Sequence, residues 1–115
     1  MTERKLVVII DDEEDLCMLL RAYFKNKAYK VQCFHTLDDG LNAIFELNPD
    51  VLFLDNNLPD GLGWDAAPQL AKNFPDMFIN FISGYHPTVP SMPGDALFQV
   101  IDKPFSFKKL DALNI

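Results

Sequence analysis

Leu6-Val7-Val8-Ile9-Ile10-Asp11-Asp12 decides the fold, because five consecutive branched apolar residues run straight into two carboxylates. A strand without polar alternation is covered on both faces, as in a parallel sheet between two helical layers. The period then changes. Leu16, Leu19, Leu20, Tyr23 and Phe24 fall at i, i+3, i+4, i+7 and i+8, which is one face of a helix. Lys30-Val31-Gln32-Cys33-Phe34 alternates polar and apolar and reads as a half-exposed edge strand. Thr36 stands where it can cap a second helix marked by Leu37, Leu41, Ile44 and Leu47.

Further along, Val51-Leu52-Phe53-Leu54 is a wholly apolar third strand that ends on Asp55. A third helix is predicted from an Asp65 N-cap to about Phe74, which puts Pro68 in the first turn, where its missing N–H loses no intrahelical bond. Met77–Ile82 is a fourth strand, interrupted only by Asn80 and ending on Ser83, and Leu97–Ile101 is a fifth, ending on Asp102 and Lys103. Ser106 is placed to cap a last helix of about two turns. Between the last two strands, Tyr85–Gly94 carries Pro87, Pro90 and Pro93, which a regular helix interior does not accept. A loop or one distorted turn is expected there. Strands alternating with helices over short connections predict a doubly wound α/β fold with a five-stranded parallel sheet. The edge-like second strand favours the order 2-1-3-4-5, whose ligands bind outside the carboxyl ends of strands 1 and 3.

At 115 residues, 49% of them hydrophobic, residues 1–115 suit a single domain with a real core. The net charge of −7 argues against direct nucleic-acid binding, which needs a basic surface. Met1-Thr2-Glu3-Arg4-Lys5 leads into too short an apolar run for a signal-peptide core or a membrane span, so a cytoplasmic protein without membrane insertion is expected. Cys17 and Cys33 have the spacing of neither a redox pair nor a zinc knuckle and read as buried thiols, and His35 and His86 read as surface residues.

If the sheet is parallel, Asp11, Asp12, Asp55, Ser83 and Lys103 converge on one edge. Clustered carboxylates repel, and their all-oxygen donor set calls for a hard cation, Mg²⁺ or Mn²⁺. Asp55, alone at the end of a buried strand, is the candidate nucleophile, since carboxylates form aspartyl phosphates. Lys103 would neutralise charge on the transferring phosphoryl group, and the Ser83 hydroxyl would hydrogen-bond its oxygen. Singly, each feature has an ordinary explanation: an acidic helix start for Asp11-Asp12-Glu13-Glu14-Asp15, a turn at Asp55 or Ser83-Gly84, a surface lysine before Pro104. Their shared placement at strand ends is what discriminates. A calcium loop at Asp55–Gly61 fails because Pro59 takes a ligand position and Gly61 falls one residue late. A haloacid-dehalogenase-type phosphatase would need an acid where Asn57 stands. No Gly-rich phosphate loop precedes a helix.

Ile9-Ile10-Asp11-Asp12-Glu13, Leu54-Asp55-Asn56-Asn57-Leu58-Pro59-Asp60-Gly61, Ile82-Ser83-Gly84 and Asp102-Lys103-Pro104-Phe105, in this order, resemble a response-regulator receiver domain of two-component signalling, from Lys5 to about Leu113. The resemblance implies a flavodoxin-like fold and a receiver that is free-standing or excised from a longer chain. It implies that Asp55 accepts a phosphoryl group from a histidine kinase or phosphotransfer protein, and that Asp12 and Asp55 bind Mg²⁺ directly with Asp11 mainly through water. The Asn56 backbone carbonyl would complete the metal ligands, and Ser83 and Lys103 would be the switch hydroxyl and the lysine. Asn57 and Tyr85 match positions that tune the phosphoryl lifetime, and output would go to a downstream protein or an attached effector.

The chain departs from the pattern at Val100, where an aromatic rotor is usual, and at the proline-rich Tyr85–Gly94 in place of a fourth helix. Phe81-Ile82-Ser83-Gly84-Tyr85 partly resembles an atypical receiver subgroup in which an aromatic after the Ser/Thr-Gly replaces the missing one. Phosphorylation is then expected to order Tyr85–Gly94, with Tyr85 or Phe98 as rotor. The competing readings are a degenerate receiver-like interaction module that no longer cycles phosphate and a small phosphatase of similar topology.

Overall fold

The computed structural model of the chain describes residues 5–85 and 87–113, so the surface position expected of His86 lies outside the described residues. In chain order the elements are β1 (Leu6–Ile10), α1 (Glu14–Lys25), β2 (Lys30–Phe34), α2 (Leu37–Leu47), β3 (Val51–Asp55), the two-residue strands β4 (Asn57–Leu58) and β5 (Gly61–Leu62), a 3₁₀ turn (Gly63–Ala66), α3 (Ala67–Asn73), β6 (Phe78–Ser83), β7 (Phe98–Asp102) and α4 (Phe107–Asp111). Five strands form one parallel sheet in the order β2-β1-β3-β6-β7. Counted by themselves they run 2-1-3-4-5, as the sequence predicts.

Period-two alternation splits the core. Val8, Ile10, Leu52, Leu54, Ile79 and Phe81 point to one face and meet Ile44 of α2, Leu70 of α3 and Trp64. Val7, Ile9, Val51, Phe53, Ile82 and Ile101 point to the other and meet Leu16, Leu20 and Phe24 of α1 and Leu110 of α4. Every residue of β3 is buried, because a strand sits on each side of it and helices cover both faces. Asn80, the polar residue inside β6, is fully buried and satisfied: its Nδ2 donates to the Leu52 carbonyl at 3.2 Å and its Oδ1 accepts from Gln99 Nε2 at 2.7 Å.

The caps explain most helix limits. Thr36 Oγ1 accepts from the Asp39 N–H at 3.2 Å, and α2 ends on Asn48 in the left-handed region. Ser106 Oγ accepts from Lys109 N–H at 3.1 Å at the start of α4, which at five residues is shorter than the two turns expected. Asp65 is not an N-cap: it lies inside the 3₁₀ turn, and α3 begins after Ala66 without a side-chain cap, with Pro68 in the first turn. The turn-rich segment after Asp55 closes as the β4–β5 hairpin.

Among the described residues between β6 and β7 no helix forms, and Val89, Met92 and Ala96 lie against the sheet face in its place. The cover is incomplete, so Leu97, Phe98 and Val100 stay 48%, 42% and 43% exposed. No helix among the described residues is long and apolar enough to cross a membrane.

Candidate functional site

The carboxyl ends of the strands bring the predicted residues together. β1 delivers Asp11 and Asp12, β3 delivers Asp55, β6 delivers Ser83, and Lys103 follows β7, its N–H held at 3.0 Å by the Ser83 carbonyl. The Lys103–Pro104 peptide is cis. A cavity of about 490 Å³ opens here, walled by Asp12, Asp55, Asn57, Ser83, Tyr85 and Lys103 among others. Asp11 is fully buried beneath it.

Asp11, Asp12 and Asp55 each present a carboxylate oxygen within 4.8 Å of the others. Asp11 Oδ1 accepts from the Glu13 N–H at 2.8 Å. Among the described residues its Oδ2 is buried without a hydrogen-bond partner and lies 3.0 Å from the Lys103 ammonium. Lys103 Nζ also reaches Glu13 Oε1 at 2.8 Å and Asp55 Oδ1 at 3.5 Å. Burial pushes the Asp55 carboxyl up to about 6, Asp11 adds to the rise, and Lys103 and the Asn56 N–H only partly offset it. Asp11 is raised for the same first reason, burial. For Lys103, burial disfavours the ammonium, but the hydrogen bond to Glu13, the close ion pair with Asp11 and the charge of Asp55 outweigh it, so its pKa is raised. One lysine thus faces more negative charge than it neutralises. An under-bonded buried carboxylate oxygen and an oxygen-only donor set fit a hard divalent cation.

Ser83 is buried, and its Oγ accepts the Tyr85 N–H at 3.0 Å, so the hydroxyl proton remains available to a group in the cavity. Tyr85 is 81% exposed at the rim, whereas Phe98 sits against Phe81 with ring centroids 5.8 Å apart.

Asn56 is turned elsewhere. Its carbonyl accepts from Gly63 N–H at 2.9 Å and its side-chain oxygen from Trp64 N–H at 3.1 Å, while Asn57 lines the cavity. This close turn needs a glycine, because a Cβ on Gly63 would stand 2.2 Å from the Asp55 carbonyl oxygen. Trp64 Nε1 donates to the Leu54 carbonyl at 2.9 Å and anchors the same turn beneath Asp55.

Three contributors were not read from the sequence. Glu13 had signalled only an acidic helix start. Asp60 accepts from the Leu37 and Asp38 N–H groups at 2.7 and 2.9 Å and caps α2 from across the hairpin, a long-range bond without a local pattern. His35, exposed as expected, also has Nδ1 2.9 Å from the Asp11 carbonyl oxygen and Nε2 3.1 Å from Glu14. Cys17 is buried as expected, but Cys33 is only partly so.

A sequence model of the response regulator receiver domain matches residues 7–113. The chain belongs to this receiver family. Similar solved structures include a CheY-like response regulator receiver domain protein from Methanospirillum hungatei JF-1, with a TM-score of 0.79 and 21% identity over 96% of this chain and 90% of that one. The beryllofluoride-activated NtrC4 receiver domain dimer matches with a TM-score of 0.79 and 26% identity over 93% of this chain and 90% of that one. NtrX from Brucella abortus matches with a TM-score of 0.76 and 21% identity over 96% of this chain but only 26% of its own. Family membership makes this receiver a phosphorylation-dependent signalling switch of two-component systems, a class that works with histidine kinases or phosphotransfer proteins.

Proposed function

We propose that this receiver accepts a phosphoryl group on Asp55 from a histidine kinase or phosphotransfer protein, with Mg²⁺ bound beside it. The observation that carries this is the placement of Asp55 in the cavity wall, 3.5 Å from the Lys103 ammonium and among Asp11, Asp12 and Ser83. An Asp55 carboxylate oxygen attacks phosphorus, the phosphorus–nitrogen bond of the donor phosphohistidine breaks, and the electron pair leaves with the imidazole. Asp12 and Asp55, with Asp11 behind them, would hold Mg²⁺, which would supply charge neutralisation when bound. The Asn56 carbonyl, which accepts one N–H from Gly63 and keeps a second lone pair, or Asn57, which lines the cavity, would take the remaining place beside the metal.

Lys103 neutralises the phosphoryl oxygens, and the Ser83 hydroxyl donates to one of them. The product carries its charge on the sheet edge, where Ser83 and the Tyr85 N–H share a bond, so occupancy is reported to the segment that follows β6. Output is by protein contact, to a downstream protein or to an attached effector, and the cytoplasm is the compartment in which such donors are met.

Incubation with acetyl phosphate and Mg²⁺, followed by intact mass measurement, tests the reading. One phosphoryl mass, acid-stable and alkali-labile, is expected on the wild type and absent from Asp55→Asn. An unmodified wild type would establish the degenerate interaction module instead, and rapid turnover of phosphomonoesters would establish a phosphatase.

A further inference from the structure

The chain enters the acidic pocket through one peptide, the one that joins Asp11 to Asp12, and the setting of that peptide decides where the Asp12 carboxylate points. The sheet holds only its near side: the Asp11 N–H donates to the Phe34 carbonyl at 3.0 Å, just past the last register pair of β1 and β2, Ile10 with Phe34. Helix α1 does not fix the far side, because Glu13 at its N-cap makes no side-chain capping bond.

His35 spans this gap. It follows β2 directly, its Nδ1 lies 2.9 Å from the Asp11 carbonyl oxygen, and its Nε2 lies 3.1 Å from Glu14 Oε2 in the first turn of α1. A carbonyl only accepts, so Nδ1 is the donor. Phe34 and His35 thus grip Asp11 at its N–H and at its carbonyl, and Glu14 fixes the far edge of the ring. Cys17 adds little at the same carbonyl, since a thiol is a weak donor and its Sγ is 3.9 Å away. The imidazole is not among the groups that wall the cavity, so its influence passes through the backbone.

We propose that His35 is a positioning residue for the cation: through Nδ1 it orients the Asp11–Asp12 peptide, which keeps carboxylate oxygens of Asp11, Asp12 and Asp55 within 4.8 Å of one another. The inference rests on the reading that this pocket takes Mg²⁺ or Mn²⁺. A hard cation demands near-octahedral geometry, and the groups behind its ligands set much of its affinity. Asp12 depends most on the clamp. Its side chain is exposed and follows the peptide, whereas the Asp11 carboxylate is also held by the Glu13 N–H and Lys103. With its own side chain 45% exposed, His35 contributes little packing, and its replacement should leave the fold intact.

The test titrates the native chain with Mn²⁺ and follows the free-ion signal by electron paramagnetic resonance, with circular dichroism and urea midpoints to verify folding. His35→Leu and His35→Ala should each weaken binding about tenfold in a folded chain. Neither change removes a negative charge, so the loss comes through geometry. His35→Asn, whose Nδ2 can stand where Nδ1 does, should stay within about twofold of the wild type. Unchanged binding in His35→Leu and His35→Ala, or a loss that His35→Asn does not restore, overturns the proposal and leaves the metal site standing. A wild type that takes up no Mn²⁺ overturns the metal reading and this proposal with it.

Discussion

Lys103 places its ammonium 2.8 Å from Glu13, an exposed carboxylate beside the acceptor pocket, and 3.5 Å from Asp55 within it. The lysine is therefore shared between a partner it must leave and a group it must serve. A partly solvated ion pair of this kind contributes up to about 1 kcal/mol. Glu13→Gln should free Lys103 for the incoming phosphoryl oxygens and raise the rate of Asp55 modification by acetyl phosphate about twofold to fivefold. A slower variant would show that Glu13 serves the reaction rather than restraining the lysine.

Among the described residues, Lys103 is also the cation that faces the buried Asp11 Oδ2. Lys103→Met leaves that charge uncompensated and should lower unfolding free energy by about 3 kcal/mol without metal. Mg²⁺ should restore part of the loss and bind more tightly than in the wild type, because the competing ammonium is gone. Urea titrations with and without Mg²⁺ check both statements, and weaker Mg²⁺ binding in the variant would refute the competition.

The two N–H groups at the start of α2 that Asp60 satisfies lie far from it in sequence. They also hold the carboxyl below its ordinary range, as hydrogen bonding to the charged form requires. Asp60→Ala should lower the urea unfolding midpoint, as loss of an N-cap does. Because the β4–β5 hairpin follows Asp55 directly, the same variant should weaken Mg²⁺ binding if the cap also orders that turn.

The contrast between Thr36 and Asp60 shows where sequence reading stops. Thr36 caps its own helix three residues on, a local pattern visible in any chain. Asp60 caps the same helix across space, and nothing near it in sequence announces the bond. The strands were legible because their apolar runs are buried from both sides, and Pro87, Pro90 and Pro93 announced the missing helix by excluding one. Asp65 misled because a good capping residue was absorbed into a 3₁₀ turn shaped by the contacts of Asn56 and Trp64. At the site, strand ends located Asp11, Asp12, Asp55, Ser83 and Lys103, but which asparagine faces the cavity depends on the Gly63 turn, a tertiary fact.

Tyr23 hydroxyl donates to Asp111 Oδ1 at 2.8 Å and ties α1 to α4. Burial, then the Asp111 hydrogen bond and charge, raise the phenol from its ordinary 10 to about 12. The folded state thus holds the proton more tightly than the unfolded state, so this stabilisation is complete below pH 10 and is lost as pH rises through 12. Tyr23→Phe should lower stability by about 1 kcal/mol at pH 7. The difference from wild type should shrink between pH 10 and 12, and urea midpoints across that range decide it; a constant difference would mean that packing, not the proton, is responsible.

On the proposed function, the signal would leave through the bond between Ser83 Oγ and the Tyr85 N–H. When the Ser83 hydroxyl turns its proton to a phosphoryl oxygen, its acceptor lone pairs turn with it, and the backbone after Gly84 must follow. The face beyond has no helix to resist: Val89 and Met92 pack on the sheet without the intrahelical bonds that would fix them, and Val100 offers no ring to swing inward. Tyr85 is free to fold over the rim from its exposed position, whereas Phe98 is already engaged with Phe81. Beryllofluoride with Mg²⁺ should therefore slow amide exchange across residues 84–96 in the wild type, and Ser83→Ala should abolish the slowing while leaving beryllofluoride bound at Asp55. Exchange that is unchanged by beryllofluoride would mean that this segment does not carry the switch.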